Sequence, residues 1–145
     1  MTSRLHALID AELESSGGRL SSHNILLAGF GQGAALALHA GMSYSKPLAG
    51  IVSIAGYAPR PELYPGHVNP VQVKTPVLAI HGNSDFIIPI AFAKRRYETM
   101  RQAGVRVDLK TEWSMAHFVS NASLMGSQGW MTQALARADE EAKKK

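Results

Sequence analysis

Short apolar runs and one alternating segment along the chain predict strands. Residues 25–28, 48–55 and 76–80 are almost continuously apolar, which is typical of parallel strands that are buried on both faces. Between residues 105 and 110, apolar residues alternate with charged ones. A period of two with one charged face predicts a half-exposed strand at the edge of a sheet.

Helical spacing and composition predict four helices. They are residues 2–15, 34–40, 90–103 and a last helix that begins near Ser123 and runs into the lysine-rich tail. The first has apolar residues at helical spacing, and Gly17 and Gly18 end it. We expect the last helix to be interrupted near Gly126 or Gly129, because glycine disfavours a helix interior.

The order of these elements indicates the fold class. Strands and helices alternate, and one long segment at 56–73 contains four prolines and predicts an irregular surface excursion. Alternation of this kind predicts an α/β fold with a mostly parallel sheet of about four strands, flanked by helices. Ligands bind such sheets at the carboxyl ends of the strands.

Composition adds limits to this picture. At 145 residues the chain suits a single domain, 1–145. The net charge of +4 includes the three terminal lysines, and no basic stripe predicts nucleic-acid binding. There is no cysteine and no apolar stretch of ~18 residues, the length that predicts a transmembrane helix. We therefore expect a cytoplasmic protein without a transmembrane segment.

The most informative stretch is residues 24–42, where an apolar strand is followed by Gly29, Gly31 and Gly33 and then by an apolar helix. Gly29 and Gly33 are expected to let strand and helix approach closely, because neither carries a Cβ. Serine hydrolases place their nucleophile at the middle of such a turn, in the pattern G-x-S-x-G. Here the middle position is Gly31, so the turn has the form of a nucleophile elbow with no nucleophile.

Two other interpretations of this turn stay open. Gly29-x-Gly31-x-x-Ala34 also fits the dinucleotide fingerprint, which would predict an NAD(P)-binding domain. However, no acidic residue ends the next strand to hold the ribose, and the nearest acid is Glu62. Alternatively, the glycines serve packing alone.

Two further loops at predicted strand ends carry side chains suited to catalysis. Asp85 follows the third strand and His117 follows the last. Either residue by itself has a simpler explanation, because an aspartate in such a turn is often an N-cap and a loop histidine is often only solvated. Together, however, elbow, acid and histidine follow the chain order of the α/β-hydrolases, in which the acid positions the imidazole and the imidazole is the base. Four further histidines, at positions 6, 23, 39 and 67, lack such a context.

These motifs resemble those of the phospholipase/carboxylesterase family, which includes the acyl-protein thioesterases. The resemblance rests on Gly29-Phe-Gly-Gln-Gly-Ala34, His81-Gly-x-x-Asp85-x-x-Ile88-Pro89 and Met115-Ala-His117. Ser114, directly before the last motif, stands where the family commonly has glycine. The resemblance implies the C-terminal part of an α/β-hydrolase fold and hydrolysis of acyl esters or thioesters, on small molecules or acylated proteins. It also implies no metal or cofactor.

Carried over by motif, Asp85 and His117 correspond to the family's acid and base, and the Gln32 N–H to an oxyanion-hole donor. Two departures matter. Gly31 replaces the nucleophilic serine, and the strands and His-Gly-rich loop that precede the elbow in the family have no counterpart before Met1. We therefore expect an inactive or impaired hydrolase. The alternative is a non-catalytic module that binds an acyl ligand or a partner on the same scaffold.

The second departure also predicts association. If the strand at 24–28 has no outer neighbour, it presents unpaired N–H and C=O groups together with apolar faces. We expect a homodimer through this exposed sheet edge, a partner that covers it, or poor solubility. The alternative is a monomer whose edge is shielded by residues 2–22. A gene fragment, a natural pseudoenzyme and an engineered form are all compatible with both departures.

Overall fold

The computed structural model describes residues 1–144 and contains one four-stranded parallel sheet. Lys145, the last residue of the lysine tail, lies outside the described residues. The strands follow one another in the sheet in chain order: β1 Leu26–Phe30, β2 Gly50–Ile54, β3 Val77–Gly82 and β4 Val107–Glu112. The predicted α/β class and strand number are confirmed. Three strands extend further toward their carboxyl ends than the apolar pattern indicated, because ladder pairing continues through Phe30 in β1, Gly82 in β3 and Glu112 in β4.

Four α-helices flank the sheet: α1 Thr2–Ser15, α2 Gln32–Ser43, α3 Ile90–Gln102 and α4 Asn121–Lys143. The prediction for α1 agrees at both ends. The expected interruption of α4 is wrong, because the helix runs unbroken through Gly126 and Gly129. Neither glycine has a packing neighbour at its Cβ position. No α-helix within residues 1–144 combines the length and apolarity that crossing a lipid bilayer would require.

The central strands are buried on both faces, as their continuous apolar runs predict. Ile51 and Val77 belong to a cluster with Leu38 of α2 and Tyr97 of α3. The alternate residues of the same strands, Val52, Ile54, Leu78 and Ile80, belong to a second cluster with Trp130 and Met131 of α4. The period of two along each strand therefore divides the core into two layers, with α2 and α3 on one face and α4 on the other.

Strand β1 forms one edge of the sheet, and the prediction that it is buried on both faces is wrong, because its residues are half-buried or exposed. It pairs with β2, and its other side has no strand neighbour among the described residues. Its faces are partly covered: Leu27 packs with the cluster that joins α1 to Tyr44 and Leu48, and Leu26 and Trp130 both lie beside Gly50. Helix α1 thus shields side chains of β1, while the outer ladder groups of β1 have no strand to pair with in residues 1–144.

The proline-rich segment 56–73 is less superficial than its composition predicts. It contains two 3-10 turns, Pro61–Leu63 and Pro70–Gln72. Gln72 is fully buried and donates from Nε2 to the carbonyls of Tyr44 at 2.9 Å and Lys46 at 2.6 Å. A buried amide with these partners fastens the excursion to the end of α2.

Candidate active site

Gly31 forms the turn between β1 and α2 in a backbone conformation that glycine adopts without penalty. Its φ is 55° and its ψ is −120°. The turn is held by hydrogen bonds from the Gly31 N–H to the Ile54 carbonyl at 3.0 Å and from the Ala35 N–H to the Gly31 carbonyl at 3.1 Å. A residue with a Cβ would be strained at this φ. The elbow therefore keeps a sharp shape although no side chain is displayed from it.

Close approach of strand and helix at the elbow depends on Gly29. A Cβ on Gly29 would collide with the backbone of Gly33 and Ala34, so a larger residue would push α2 away from β1. The same expectation for Gly33 is wrong: its Cβ position has no heavy atom within 4 Å outside its chain neighbours and its own helix. Gly33 contributes its backbone to the contact, and its side-chain position faces open space.

Asp85 lies buried in the loop that leaves β3. Its Oδ1 accepts hydrogen bonds from the backbone N–H groups of Ile87 at 2.9 Å and Ile88 at 2.8 Å. Its Oδ2 is 2.8 Å from Nδ1 of His117. Burial alone would raise the pKa of this carboxyl, but the two backbone donors and the His117 ring outweigh it, so the pKa lies below its usual value. Asp85 is thus held as a carboxylate with one oxygen directed to His117.

His117 lies in the loop after β4, with its side chain 21% exposed. The loop turns at Ser114, whose φ of 59° is one that glycine favours. It then packs so tightly on Gly82 that a Cβ at Gly82 would overlap Met115. The ring of Phe30 lies against the imidazole, with centroids 4.8 Å apart. These contacts fix the ring beside the elbow.

The three predicted positions meet at the carboxyl edge of the sheet. A Cβ built on Gly31 would lie 3.2 Å from Nε2 of His117, and Nδ1 of the same ring bonds to Asp85. His117 therefore bonds to Asp85 through one ring nitrogen and faces Gly31 with the other. Because a carboxylate only accepts, Nδ1 carries the proton and the lone pair of a neutral ring is at Nε2, on the side of Gly31. Gln32, the predicted oxyanion donor, is the first residue of α2, where backbone N–H groups have no intrahelical acceptor.

His81 also belongs to the site, and the sequence did not reveal its part in it. Its side chain is completely buried, and Nε2 donates to the Ile88 carbonyl at 2.7 Å. The same nitrogen is 3.4 Å from Oδ2 of Asp85, and Nδ1 has no partner in the described residues. The available signal was the position of His81 at the start of the acid-loop motif, four residues before Asp85.

The remaining histidines include a pair that the sequence did not reveal. His39 of α2 and His67 of the excursion stack with ring centroids 3.9 Å apart, and Nε2 of His67 bonds to the His39 carbonyl at 2.7 Å. Burial lowers the pKa of His39, and the charges of His67 and Arg60 lower it further. This pair joins the excursion to α2 and takes no part in the Asp85–His117 contact.

Apolar side chains stand exposed on the loops that carry the acid and the histidine. Phe86 is 88% and Ile87 72% exposed on the acid loop, and Trp113 is 84% exposed at the end of β4. Phe118 follows His117 and is also exposed. All four residues belong to the loops that leave β3 and β4 at the carboxyl edge of the sheet, the edge that also carries Asp85 and His117.

Comparison with known proteins agrees with this geometry. The sequence profile of the Phospholipase/Carboxylesterase family matches residues 1–133. A probable carboxylesterase, SOBER1-like, of Arabidopsis thaliana is 29% identical over 89% of this chain and 48% of its own length. Acyl-protein thioesterase 1 of Schizosaccharomyces pombe is 38% identical over 59% of this chain and 37% of its own.

Among solved structures, the crystal structure of Arabidopsis thaliana SOBER1 superposes with a TM-score of 0.85 and 26% identity, over 92% of this chain and 62% of that one. The chain spans about half the length, or less, of these two curated relatives. The match of the family profile to nearly the whole chain, together with the elbow, acid and histidine in their expected places, shows that this protein belongs to the phospholipase/carboxylesterase family of α/β-hydrolases.

Proposed function

We propose that this protein binds acyl esters or thioesters at the carboxyl edge of its sheet, as an impaired hydrolase that forms no acyl-enzyme. The observation that carries the proposal is the position of Gly31: a serine Cβ there would lie 3.2 Å from Nε2 of His117. Gly31 thus occupies the nucleophile position of a complete acid–histidine pair and supplies no hydroxyl. The roles we assign are Asp85 as the acid that orients the ring, His117 as the base, and the Gln32 N–H as an oxyanion donor.

The substrate class is argued from the apolar side chains on the loops that carry Asp85 and His117. Exposed Phe86, Ile87 and Trp113 offer apolar contacts to the acyl chain of a small ester, a thioester or an acylated protein. Loss of the serine in a triad leaves the catalysis that binding and the oxyanion hole provide. Turnover by the unmodified chain should therefore be far below that of a family member with serine. No role is assigned to a metal or cofactor in this site.

Two measurements on the unmodified chain test the proposal. A fluorophosphonate probe should leave it unlabelled, because the probe reports an activated serine. Titration with a non-hydrolysable acyl ketone should shift the imidazole signals of His117 in an NMR spectrum. The matched control is the Phe86→Asp/Trp113→Asp variant, which keeps the Asp85–His117 pair and should bind the ketone more weakly. Robust labelling, or no shift at His117, would overturn the proposal.

A second candidate is a non-catalytic partner-binding module on the same scaffold. The exposure of Phe86 and Trp113 favours it, since such a surface also suits a protein partner. It predicts that an acylated peptide binds more tightly than the free acyl ligand, which calorimetry with both ligands would measure.

The family match and the site geometry give no support to the NAD(P)-binding interpretation, and a titration with a fluorescent dinucleotide should show no binding. The single domain 1–145 and the cytoplasmic location stay predictions.

A further inference from the structure

The position that a serine side chain would fill at Gly31 is bounded by one functional group. Within 4 Å of a Cβ built there lie Nε2 of His117 at 3.2 Å and Cε1 at 3.5 Å. Apart from the immediate chain neighbours, no other heavy atom of the described residues comes this close. Gly31 itself is buried, and the 3.2 Å separation is closer than an ordinary van der Waals contact, so a group at this position meets the edge of the imidazole and no other side chain.

That nitrogen is equipped to accept a proton. Because Nδ1 donates to the carboxylate of Asp85, the lone pair of the neutral ring lies at Nε2, on the open side. The side chain of Asp85 is fully buried and that of His117 is 21% exposed, so part of the imidazole is open to solvent while the acid is not. A small molecule seated between Gly31 and the ring has a base within hydrogen-bond reach.

We propose that Gly31 and His117 together bind a small external nucleophile, water or a short alcohol, which attacks a bound acyl ester directly. This inference rests on the proposed function, because it needs the ester at the same site. The nucleophile lies slightly beyond the position of a serine hydroxyl, since it touches the Gly31 Cα by van der Waals contact instead of a covalent bond. The protein thus uses the acid–histidine pair with a replaceable nucleophile and without a covalent intermediate.

Each step of this reaction balances within the site. The nucleophile oxygen forms a bond to the carbonyl carbon and gives its proton to Nε2 of His117, while the π electrons of the C=O bond move to the carbonyl oxygen as an oxyanion that re-forms C=O in the next step. The carbon–oxygen bond to the leaving alcohol then breaks, and His117 returns the proton to the departing oxygen. With water the products are the acid and the alcohol, and with methanol they are the methyl ester and the leaving alcohol. General-base catalysis of this kind contributes ~10²–10⁴-fold to a rate.

The test uses phenyl butyrate as ester and methanol as added nucleophile, with methyl butyrate measured by gas chromatography. The unmodified chain should produce methyl butyrate faster than buffer does, with no burst phase and no inhibition by a fluorophosphonate. The His117→Gln variant should lose about 10²-fold of the catalysed rate, the lower end of the general-base range. The control His23→Gln removes a histidine that precedes β1, at the opposite end of that strand from the elbow, and should leave the rate unchanged.

Nucleophile size provides the sharper criterion, because it needs no mutation. Methanol is small enough to approach the imidazole beside Gly31 and should react, whereas tert-butanol is too bulky and should give no product above the buffer rate. The Gly31→Ala variant, which fills the Cβ position, should lose the methanol reaction while circular dichroism shows that it is folded. Equal rates with both alcohols, sensitivity to fluorophosphonate, or an unchanged rate in His117→Gln would overturn the inference.

If the acyl ketone shifts His117 and no methyl butyrate forms, this inference fails and the proposed binding function stands. If the ketone does not bind, the proposed function itself fails.

Discussion

Replacement of Gly31 by serine tests the elbow most directly, because it restores the family residue at a backbone position that now carries no strain. The φ of 55° and ψ of −120° at Gly31 lie outside the regions that residues with a Cβ populate freely. Gly31→Ser must therefore either hold a strained backbone or distort the turn. The hydrogen bond of the Gly31 N–H to the Ile54 carbonyl opposes distortion, so we expect strain.

The size of the effect is the difference between two terms. A non-glycine residue in such a conformation costs about 1–3 kcal/mol. The serine hydroxyl regains about 1 kcal/mol if it donates to Nε2 of His117, beside which its Cβ would lie at 3.2 Å. We expect the free energy of unfolding to fall by about 1 kcal/mol, the difference of these two terms. For a chain of this size that lowers the Tm by about 3 °C.

Differential scanning calorimetry at neutral pH would measure this change. Gly31→Ala has the same backbone strain without the hydroxyl, so its Tm should fall further than that of Gly31→Ser. Gly33→Ser is the matched control, because Gly33 is exposed and a Cβ there meets open space; its Tm should not fall. An unchanged or raised Tm in Gly31→Ser, or a smaller loss in Gly31→Ala, would refute the strain argument. An ester assay on Gly31→Ser should show little restored hydrolysis.

Three further predictions concern other parts of the molecule. Because burial, and then the neighbouring charges, hold the pKa of His39 below 6.5, its contribution to the free energy of unfolding should be complete above about pH 6.5 and fall as the pH drops toward its folded pKa. Urea titrations across this range should show a smaller loss in His39→Gln, and equal losses would contradict the assignment. His81→Leu leaves the buried carbonyl of Ile88 without its donor, so the free energy of unfolding should fall by about 1–3 kcal/mol. The His117 imidazole resonances should also shift, because Asp85 loses a neighbour. A stable variant with an unchanged spectrum would exclude a role of His81 in positioning Asp85. Strand β1 has an edge without a strand partner in residues 1–144, so sedimentation at micromolar concentration should detect a homodimer, and a folded monomer with slow amide exchange throughout β1 would exclude pairing through that edge.

Local pattern was sufficient for much of the fold. The continuous apolar runs at 48–55 and 76–80 predicted strands that are buried on both faces, and β2 and β3 are completely buried. The alternating segment predicted an edge strand, and β4 lies at the edge of the sheet. These predictions succeed because the period of side-chain burial is a local property of a strand or helix. Strand boundaries were less accurate, since ladder hydrogen bonds with a neighbouring strand decide where pairing ends.

The candidate site divides in the same way between sequence and tertiary structure. Chain order and motif resemblance were enough to single out Gly31, Asp85 and His117, because loops at the carboxyl ends of parallel strands meet at one edge. Only the fold shows that Nε2 of His117 lies beside the Cβ position of Gly31, and that buried His81 supports the acid loop. These facts depend on contacts between residues distant in sequence and on side-chain burial, and no local pattern encodes either. The sequence by itself determined which residue types stand at the strand ends, and the tertiary structure decided which of their atoms meet.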